Sequence, residues 1–463
     1  MTTAPAEDVA RRLGEDLGAR GLVPGLVAAF TGGVTRFARP GREELDELTA
    51  GADALARRLA AGDVGARDLP LLTRVLFFAG HADVLAAHGI PTPAYDLLGS
   101  FRENLARPLG PVPSGRPTAA GRRWRLLGRT VGFPVGVPAC VLNGSEAWVR
   151  HNLASGYSVL TYKTVRGRVH PANEQPNWTF APRETASLPP GAAAEVVSDP
   201  WNWVEPGDPR VSTVNSFGVP SPAPGEWMAD LERALAATGE DALLLVSVMG
   251  EDPDGTGQQA ALAGDFARTA RMAEEAGAGV VELNLSCPNT LDRSAAGVKP
   301  PLCLDPDATV AVVEQVRREL DDRTGLVAKL SWLDEERLAA LVPRLGPLVD
   351  GIAGINTLQS RVRRSDGAPT FPGRELAGLS GVAVRDSALD FTRRLVALRE
   401  AGTAHFDVLA MGGVTDPASF EALFALGADA VQSASGAFAD PLLAQRCITA
   451  LGHTLPRAVE EDR

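Results

Sequence analysis

The sequence predicts an α/β fold, a (β/α)₈ TIM barrel with an N-terminal helical domain, and three observations carry that expectation. From residue 132 onward, short β-branched runs alternate with amphipathic helical patterns, as repeated strand–helix units around a parallel sheet require. The strand candidates number eight, at 132–139, 158–163, 243–249, 279–285, 326–331, 351–356, 407–412 and 429–434, enough to close a barrel. Before residue 120 the composition changes to Ala, Leu, Arg and Glu, with helical periodicity at 43–61 and 69–88 and no strand pattern.

The elements follow in order. A chain of 463 residues, 45% hydrophobic and 22% charged, can hold one large domain and a smaller one. The expected division is a helical extension at 1–120 and a barrel at 121–463, joined by a segment rich in Pro, Gly and Arg at 108–123. Helical patterns at 265–275, 306–320 and 386–399 alternate with the strands. Two stretches, 164–225 and 287–305, break the rhythm and read as long ordered loops over the barrel top, where such loops cover a site or bind substrate. His170 and Trp178 fall in the first of them and read as loop packing.

A net charge of −12 excludes the basic footprint of a nucleic-acid binder. The cysteines, Cys140, Cys287, Cys303 and Cys447, have neither metal-ligand spacing nor the density of a disulfide scaffold, so no metal site is expected and a reducing cytoplasm is the expected compartment. No basic region precedes an apolar core at the N-terminus, so no secretory leader is expected, and the apolar stretch 21–33 is too short to span a bilayer.

Chemistry in such a barrel gathers at the C-terminal ends of the strands, where Lys163, Asn284, Lys329, Asn356 and Gly412 fall. The run 280–289, Val-Val-Glu-Leu-Asn-Leu-Ser-Cys-Pro-Asn, passes from apolar residues into amides, a thiol and a proline, which makes Asn284, Cys287 and Asn289 candidate site residues. The 45 basic residues include three lysines, Lys163, Lys299 and Lys329, and 45 − 3 = 42 arginines. In so Arg-biased a chain, a retained lysine points to a need for a compact ammonium on a flexible stem.

The order of these motifs over roughly residues 125 to 450 resembles the dihydroorotate dehydrogenases, FMN-dependent (β/α)₈ barrels, and Asn284-Leu-Ser-Cys-Pro-Asn289 resembles their signature. The resemblance implies FMN-dependent oxidation of (S)-dihydroorotate to orotate in pyrimidine biosynthesis. It places Cys287 as the base that takes the C5 proton while hydride leaves C6 for flavin N5, as in the cysteine-dependent branch. It makes Lys163 the lysine that touches flavin and substrate, and Lys329 the one that stabilises charge at flavin N1/O2. Lys299 resembles a residue of the mobile active-site loop. The segment Asn215-Ser216-Phe217-Gly218-Val219, with Asn284, Asn289, Asn356 and Thr357, would hold the pyrimidine, whose alternating donors and acceptors suit amides. Ala139, Cys140, Lys163, Thr164, Asn284, Lys329 and Asn356 would line the flavin; Gly378, Ser380, Gly381, Gly412, Gly413, Ser435 and Gly436 would form its glycine-bearing phosphate loops. Pro138, Cys140 and Ala434 depart from the family pattern.

The departures and the unusual first 120 residues leave room for another dihydropyrimidine, of dihydrouracil type or a specialised metabolite. A third reading, a non-catalytic flavin barrel that binds partners, is disfavoured by the retained thiol and lysines. The electron acceptor stays open among fumarate, a quinone and a partner subunit. The apolar run 69–88 fits a packed helical cap or a homodimer contact better than a quinone tunnel at a membrane.

Overall fold

The computed structural model describes residues 6–90, 92–107, 109, 122–192, 195–252, 259–286, 291–292, 297–298, 300–455 and 458–459. Eight strands close a parallel barrel: β1 (Val135–Val137), β2 (Val159–Arg166), β3 (Leu243–Met249), β4 (Val280–Asn284), β5 (Gly325–Leu330), β6 (Gly351–Gly354), β7 (Asp407–Met411) and β8 (Ala430–Gln432). Each candidate run of the sequence overlaps one of them, although β2 continues three residues past 163 and β5 begins one residue before 326. Their continuous apolar character follows from burial on both faces, by the barrel interior and by the outer helices. Those helices include Gln259–Glu275, Pro306–Glu319, Glu335–Leu345 and Arg385–Ala401.

Two local features of the barrel bear on the site. Gly136 lets β1 approach β2 closely, because a Cβ there would lie 1.6 Å from the Val159 carbonyl oxygen. The β2–β3 ladder pairs Tyr162 with Val246 and then Val165 with Val248, so Lys163 and Thr164 together oppose Ser247. That is a β-bulge, a device that re-aims side chains at the end of a strand.

Above the barrel lies a second sheet of five strands, in the order Trp178–Phe180, Ser212–Asn215, Leu376–Gly381, Leu358–Arg363, Glu195–Val197. Its ladders are antiparallel except the last, which is parallel. The stretch 164–225 is therefore more than loop: it contributes three strands of this cap. Likewise the glycine-bearing segment 377–381 is strand for most of its length and turns only at Gly381, where φ is +83°.

The N-terminal region is helical, with Ala6–Ala19, Leu26–Ala38, Arg42–Ala61, Leu69–Phe78, Ala82–Ala87 and Phe101–Ala106. Its apolar faces meet around Leu13, Phe30, Val34, Leu55, Leu72, Leu76 and Phe78. The periodic run 69–88 is broken into two helices, because Gly80 adopts φ +83° after Phe78. The bundle docks on the cap: Phe77 and Trp203 rings lie 4.8 Å apart, and Arg364, stacked 4.9 Å from the Trp201 ring, pairs with Glu44. Among the described residues, no single helix is long and apolar enough to cross a membrane. Most of the proposed linker 108–123 lies outside the described residues, but Arg123 already opens the strand Arg123–Leu126, part of a small sheet with Arg129–Val131 and Ala458–Val459.

Candidate active site

A cleft of about 1020 Å³, counting its part open to solvent, lies between the C-terminal ends of the barrel strands and the cap sheet. From the barrel come Ala139 and Cys140 after β1, Lys163 and Thr164 of β2, Asn284 of β4, Lys329 of β5, Asn356 and Thr357 after β6, Gly412 and Gly413 after β7, and Ser435 after β8. The cap and the turn after it contribute Trp178, Asn215, Phe217, Val219, Ser380 and Gly381. The structure thus brings together most of the candidates read from the sequence. Cys287, Asn289 and Lys299 lie outside the described residues.

The amides on the cleft floor are held by one another. Asn284 donates from Nδ2 to Thr164 Oγ1 at 3.1 Å, and the Thr164 and Ser247 hydroxyls are 3.0 Å apart. Asn356 Nδ2 donates to Ser286 Oγ at 3.1 Å and reaches Asn284 Oδ1 at 3.4 Å, while its own Oδ1 accepts from Thr357 N–H at 2.8 Å. Such a chain fixes which face of each amide meets a ligand, and that fixes which ring edge the site accepts.

The two lysines differ in their surroundings. Lys163 Nζ sits 5.7 Å from the centroid of the Phe101 ring, within the range of a cation–π contact. Lys329 Nζ lies 3.9 Å from Glu282 Oε1, and both side chains are almost fully buried. Burial pushes the Glu282 carboxyl above its usual range, while the Lys329 charge pulls it down. Cys140, on the wall beside them, has its thiol pushed up to about 11 by burial.

On the upper wall, Asn215 pairs with Trp178 on one side and Gly378 on the other, and its Nδ2 donates to the Gly378 carbonyl at 3.3 Å. The chain then turns sharply at Gly218 (φ +78°) and Val219 (φ +53°). A β-branched residue at positive φ persists only where its surroundings over-determine it. Here the buried Arg166 guanidinium does so, donating to the Val219 carbonyl at 2.9 Å and the Gly218 carbonyl at 3.1 Å while pairing with Glu251. Ser216 is buried, with its carbonyl accepting from Asn173 at 2.9 Å; neither it nor Gly218 lines the cleft.

At the far end, Gly412 (φ +120°) and Gly413 (φ +68°) leave bare backbone where the helix Arg385–Ala401 comes close. A Cβ on Gly413 would lie 2.5 Å from Arg385. Arg385 secures this turn, donating to the Gly413 carbonyl at 2.9 Å and to Thr415 Oγ1 at 2.8 Å. Thr213, Ser380 and Ser435 close a triangle of hydroxyls with sides of 2.8, 3.0 and 3.0 Å, tying the cap to the loop after β8. Gly378 and Gly436 stand behind this wall rather than on it. The donor set, two ammonium groups together with glycine and serine residues lining one cleft, fits a flavin mononucleotide, whose ring system the lysines and whose phosphate the glycine turns would meet.

Sequence reading missed Phe101, Arg166, Thr213 and the role of Trp178. Trp178 packs against Phe438 with ring centroids 4.0 Å apart, as expected of a packing residue, but it does so from a cap strand and also lines the cleft. His170, by contrast, lies off the cleft, beside Glu251. Arg166 could have been found as an arginine ending an apolar strand three residues beyond Lys163; nothing in the sequence marks Phe101.

Residues 205–455 match the family model described as dihydroorotate dehydrogenase. The chain is 28% identical over 376 residues to the dihydroorotate dehydrogenase of Dictyostelium discoideum, covering 77% of this chain and 97% of that protein. It is 30% identical over 224 residues to a putative dihydroorotate dehydrogenase A (fumarate) of Aeropyrum pernix, covering 47% of this chain and 63% of the relative. The NAD-dependent dihydropyrimidine dehydrogenase subunit PreA of Escherichia coli K12 is 26% identical over 220 residues, covering 44% and 47% respectively.

Proposed function

Because the chain belongs to the dihydroorotate dehydrogenase family, and is an oxidoreductase of that kind, we propose that it oxidises (S)-dihydroorotate to orotate with FMN, in cytoplasmic pyrimidine biosynthesis. The observation that carries this reading is the convergence of Lys163, Lys329, Asn215, Asn284 and Asn356 on one cleft that Gly381, Gly412 and Gly413 also line. Bound FMN supplies a hydride acceptor, which none of the side chains can be.

The residues then divide the work. Asn215 from above and Asn284 and Asn356 from below meet the ring amides and carbonyls of the pyrimidine, with Asn289 and Thr357 completing the set. Lys163 offers its ammonium to the substrate carboxylate and the edge of the flavin. Lys329 stabilises negative charge at the flavin pyrimidine ring, and Cys287 accepts the C5 proton. Gly381, Gly412, Gly413 and Ser435 meet the phosphate, and Ala139 and Cys140 lie along the ring system. We assign residues 1–120 as a helical extension and 121–463 as the FMN-binding barrel.

The experiment is an anaerobic titration of purified protein with dihydroorotate, following the flavin band at roughly 450 nm. Bleaching at stoichiometric substrate is the expected result. A flavin that dihydroorotate leaves oxidised would favour the second reading, another dihydropyrimidine. Its support is the aromatic wall of Trp178 and Phe217 and the likeness to a dihydropyrimidine dehydrogenase subunit.

A further inference from the structure

Glu282 is a poorly accommodated group in the barrel. Its side chain is wholly buried on β4, and among the described residues neither carboxylate oxygen has a well-formed hydrogen bond, the Ser247 hydroxyl offering it only a weak one. Across the ladders it faces Ser247 of β3 and Val327 of β5; the Ser247 hydroxyl lies 3.0 Å from that of Thr164. Among the described residues, Glu282 is the acid within ion-pair range of Lys329, at 3.9 Å. Lys329 lines the cleft and Glu282 does not, so the carboxyl lies behind the ammonium, away from any reacting atom.

This arrangement is poor as a device for stability. A buried ion pair with so little hydrogen bonding around it recovers little of what its desolvation costs, and an apolar side chain of similar volume often serves the fold as well or better. What the carboxyl can do is electrostatic. In a low-dielectric interior, a charge about 4 Å behind the ammonium changes the field on its other side far more than it would in water. The strand geometry keeps it there: Glu282 is two residues before Asn284, and Asn284 pairs in register with Lys329.

We propose that Glu282 is a positioning residue that anchors the Lys329 ammonium from behind and attenuates the positive charge presented to the flavin. The proposal rests on the FMN reading above. It assigns Glu282 no contact with substrate; the residue acts through Lys329 alone. Removing the carboxylate charge while keeping its shape then leaves a stronger cation facing the ring, which favours the reduced, more negative flavin over the oxidised one.

The test uses the full-length, flavin-loaded protein and the midpoint potential of its bound flavin, measured against a reference dye. Glu282→Gln is expected to shift the preference for reduced over oxidised flavin by about tenfold, equal to about +30 mV for a two-electron couple. In a Lys329→Met background, where burial without the ammonium favours the neutral carboxyl, the same substitution is expected to have no effect. An unchanged potential in loaded Glu282→Gln protein, or an equal shift that persists without Lys329, overturns the proposal. If Glu282→Gln protein fails to hold flavin, Glu282→Asp decides: it keeps the charge and is expected to load flavin at the parent potential. Failure of that variant too assigns the residue to packing and overturns the proposal. Parent protein that binds no flavin removes the functional reading itself; a loaded variant with an unmoved potential removes only the role of Glu282.

Discussion

The barrel sheet and the cap sheet meet at one cleft but are built on opposite logics. Barrel strands are parallel, adjacent in chain order and buried on both faces. Cap strands are mostly antiparallel and come from separate excursions: Ser212–Asn215 pairs on one side with Trp178–Phe180 and on the other with Leu376–Gly381. The barrel supplies the charged groups, Lys163 and Lys329, on a frame whose strands cannot move independently. The cap supplies Trp178, Asn215 and Ser380, in a region held by ties between segments distant in sequence, such as the hydroxyl triangle and the Arg166 clamp on the turn after Asn215. The division suggests that rate is set chiefly from below and selectivity chiefly from above.

If so, the largest effect should come from the barrel. Lys163→Met should lower the rate of flavin reduction by about 10²–10³-fold, the usual cost of losing one preorganised electrostatic group. Stopped-flow reduction by dihydroorotate measures it, and a loss below tenfold would leave Lys163 without its assigned role. From the cap, Asn215→Ala should raise KM by roughly 10- to 100-fold through a lost ring contact, with a smaller fall in kcat. Steady-state kinetics separate the two, and equal falls in kcat and kcat/KM would put the cap residue in the chemical step instead.

The same contrast explains what the sequence made legible. A strand buried on both faces is a continuous apolar run bounded by turns, so all eight barrel strands could be located from the sequence pattern, and with them Lys163 and Lys329. Trp178–Phe180 is three residues long, and its pairing partner, Ser212–Asn215, lies on the far side of another excursion. No local period marks such a strand, because its stability comes from partners distant in sequence. The break at Gly80 was hidden for a related reason: an apolar period of 3.6 continues through a residue whose left-handed conformation ends the helix. Cys287 and Asn289, the most readable candidates chemically, lie outside the described residues, so their case still rests on the motif.

Phe101 tests whether the N-terminal region belongs to the cap side of this division. Its short helix is fixed by a capping box, in which Glu103 N–H donates to Ser100 Oγ at 3.2 Å and Ser100 N–H to Glu103 Oε2 at 2.7 Å. The segment is tied to the barrel wall, with Trp148 Nε1 donating to the Asn104 carbonyl at 2.9 Å, and Tyr95 meets the Phe217 ring at 5.9 Å. Phe101→Leu keeps an apolar cover but removes the quadrupole facing Lys163. It should weaken substrate binding by about 1 kcal/mol, roughly fivefold in KM, with flavin content unchanged. A fall in flavin content instead would make the segment part of cofactor binding.

The smallest effect is expected at a thiol that looks reactive and should not be. Cys140 lines the cleft on the barrel side, near both lysines, and those cations lower its pKa. Burial outweighs them and holds it at about 11, and Cys303 is likewise pushed up to about 11 by burial. Thiolate is the nucleophile, and at pH 8 a thiol with a pKa near 11 is roughly 0.1% ionised. Iodoacetamide at pH 8 should therefore leave Cys140 and Cys303 unmodified, with labelling of Cys140 rising only as pH approaches 11. Peptide mapping by mass spectrometry reads each site separately. A Cys287 that serves as base should be labelled first, with flavin reduction lost in step, and its protection by orotate would tie the reaction to the cleft. Rapid labelling of Cys140 at pH 8 would mean that the two lysines outweigh burial in setting the state of that thiol, and would give the barrel side of the site a second reactive cysteine.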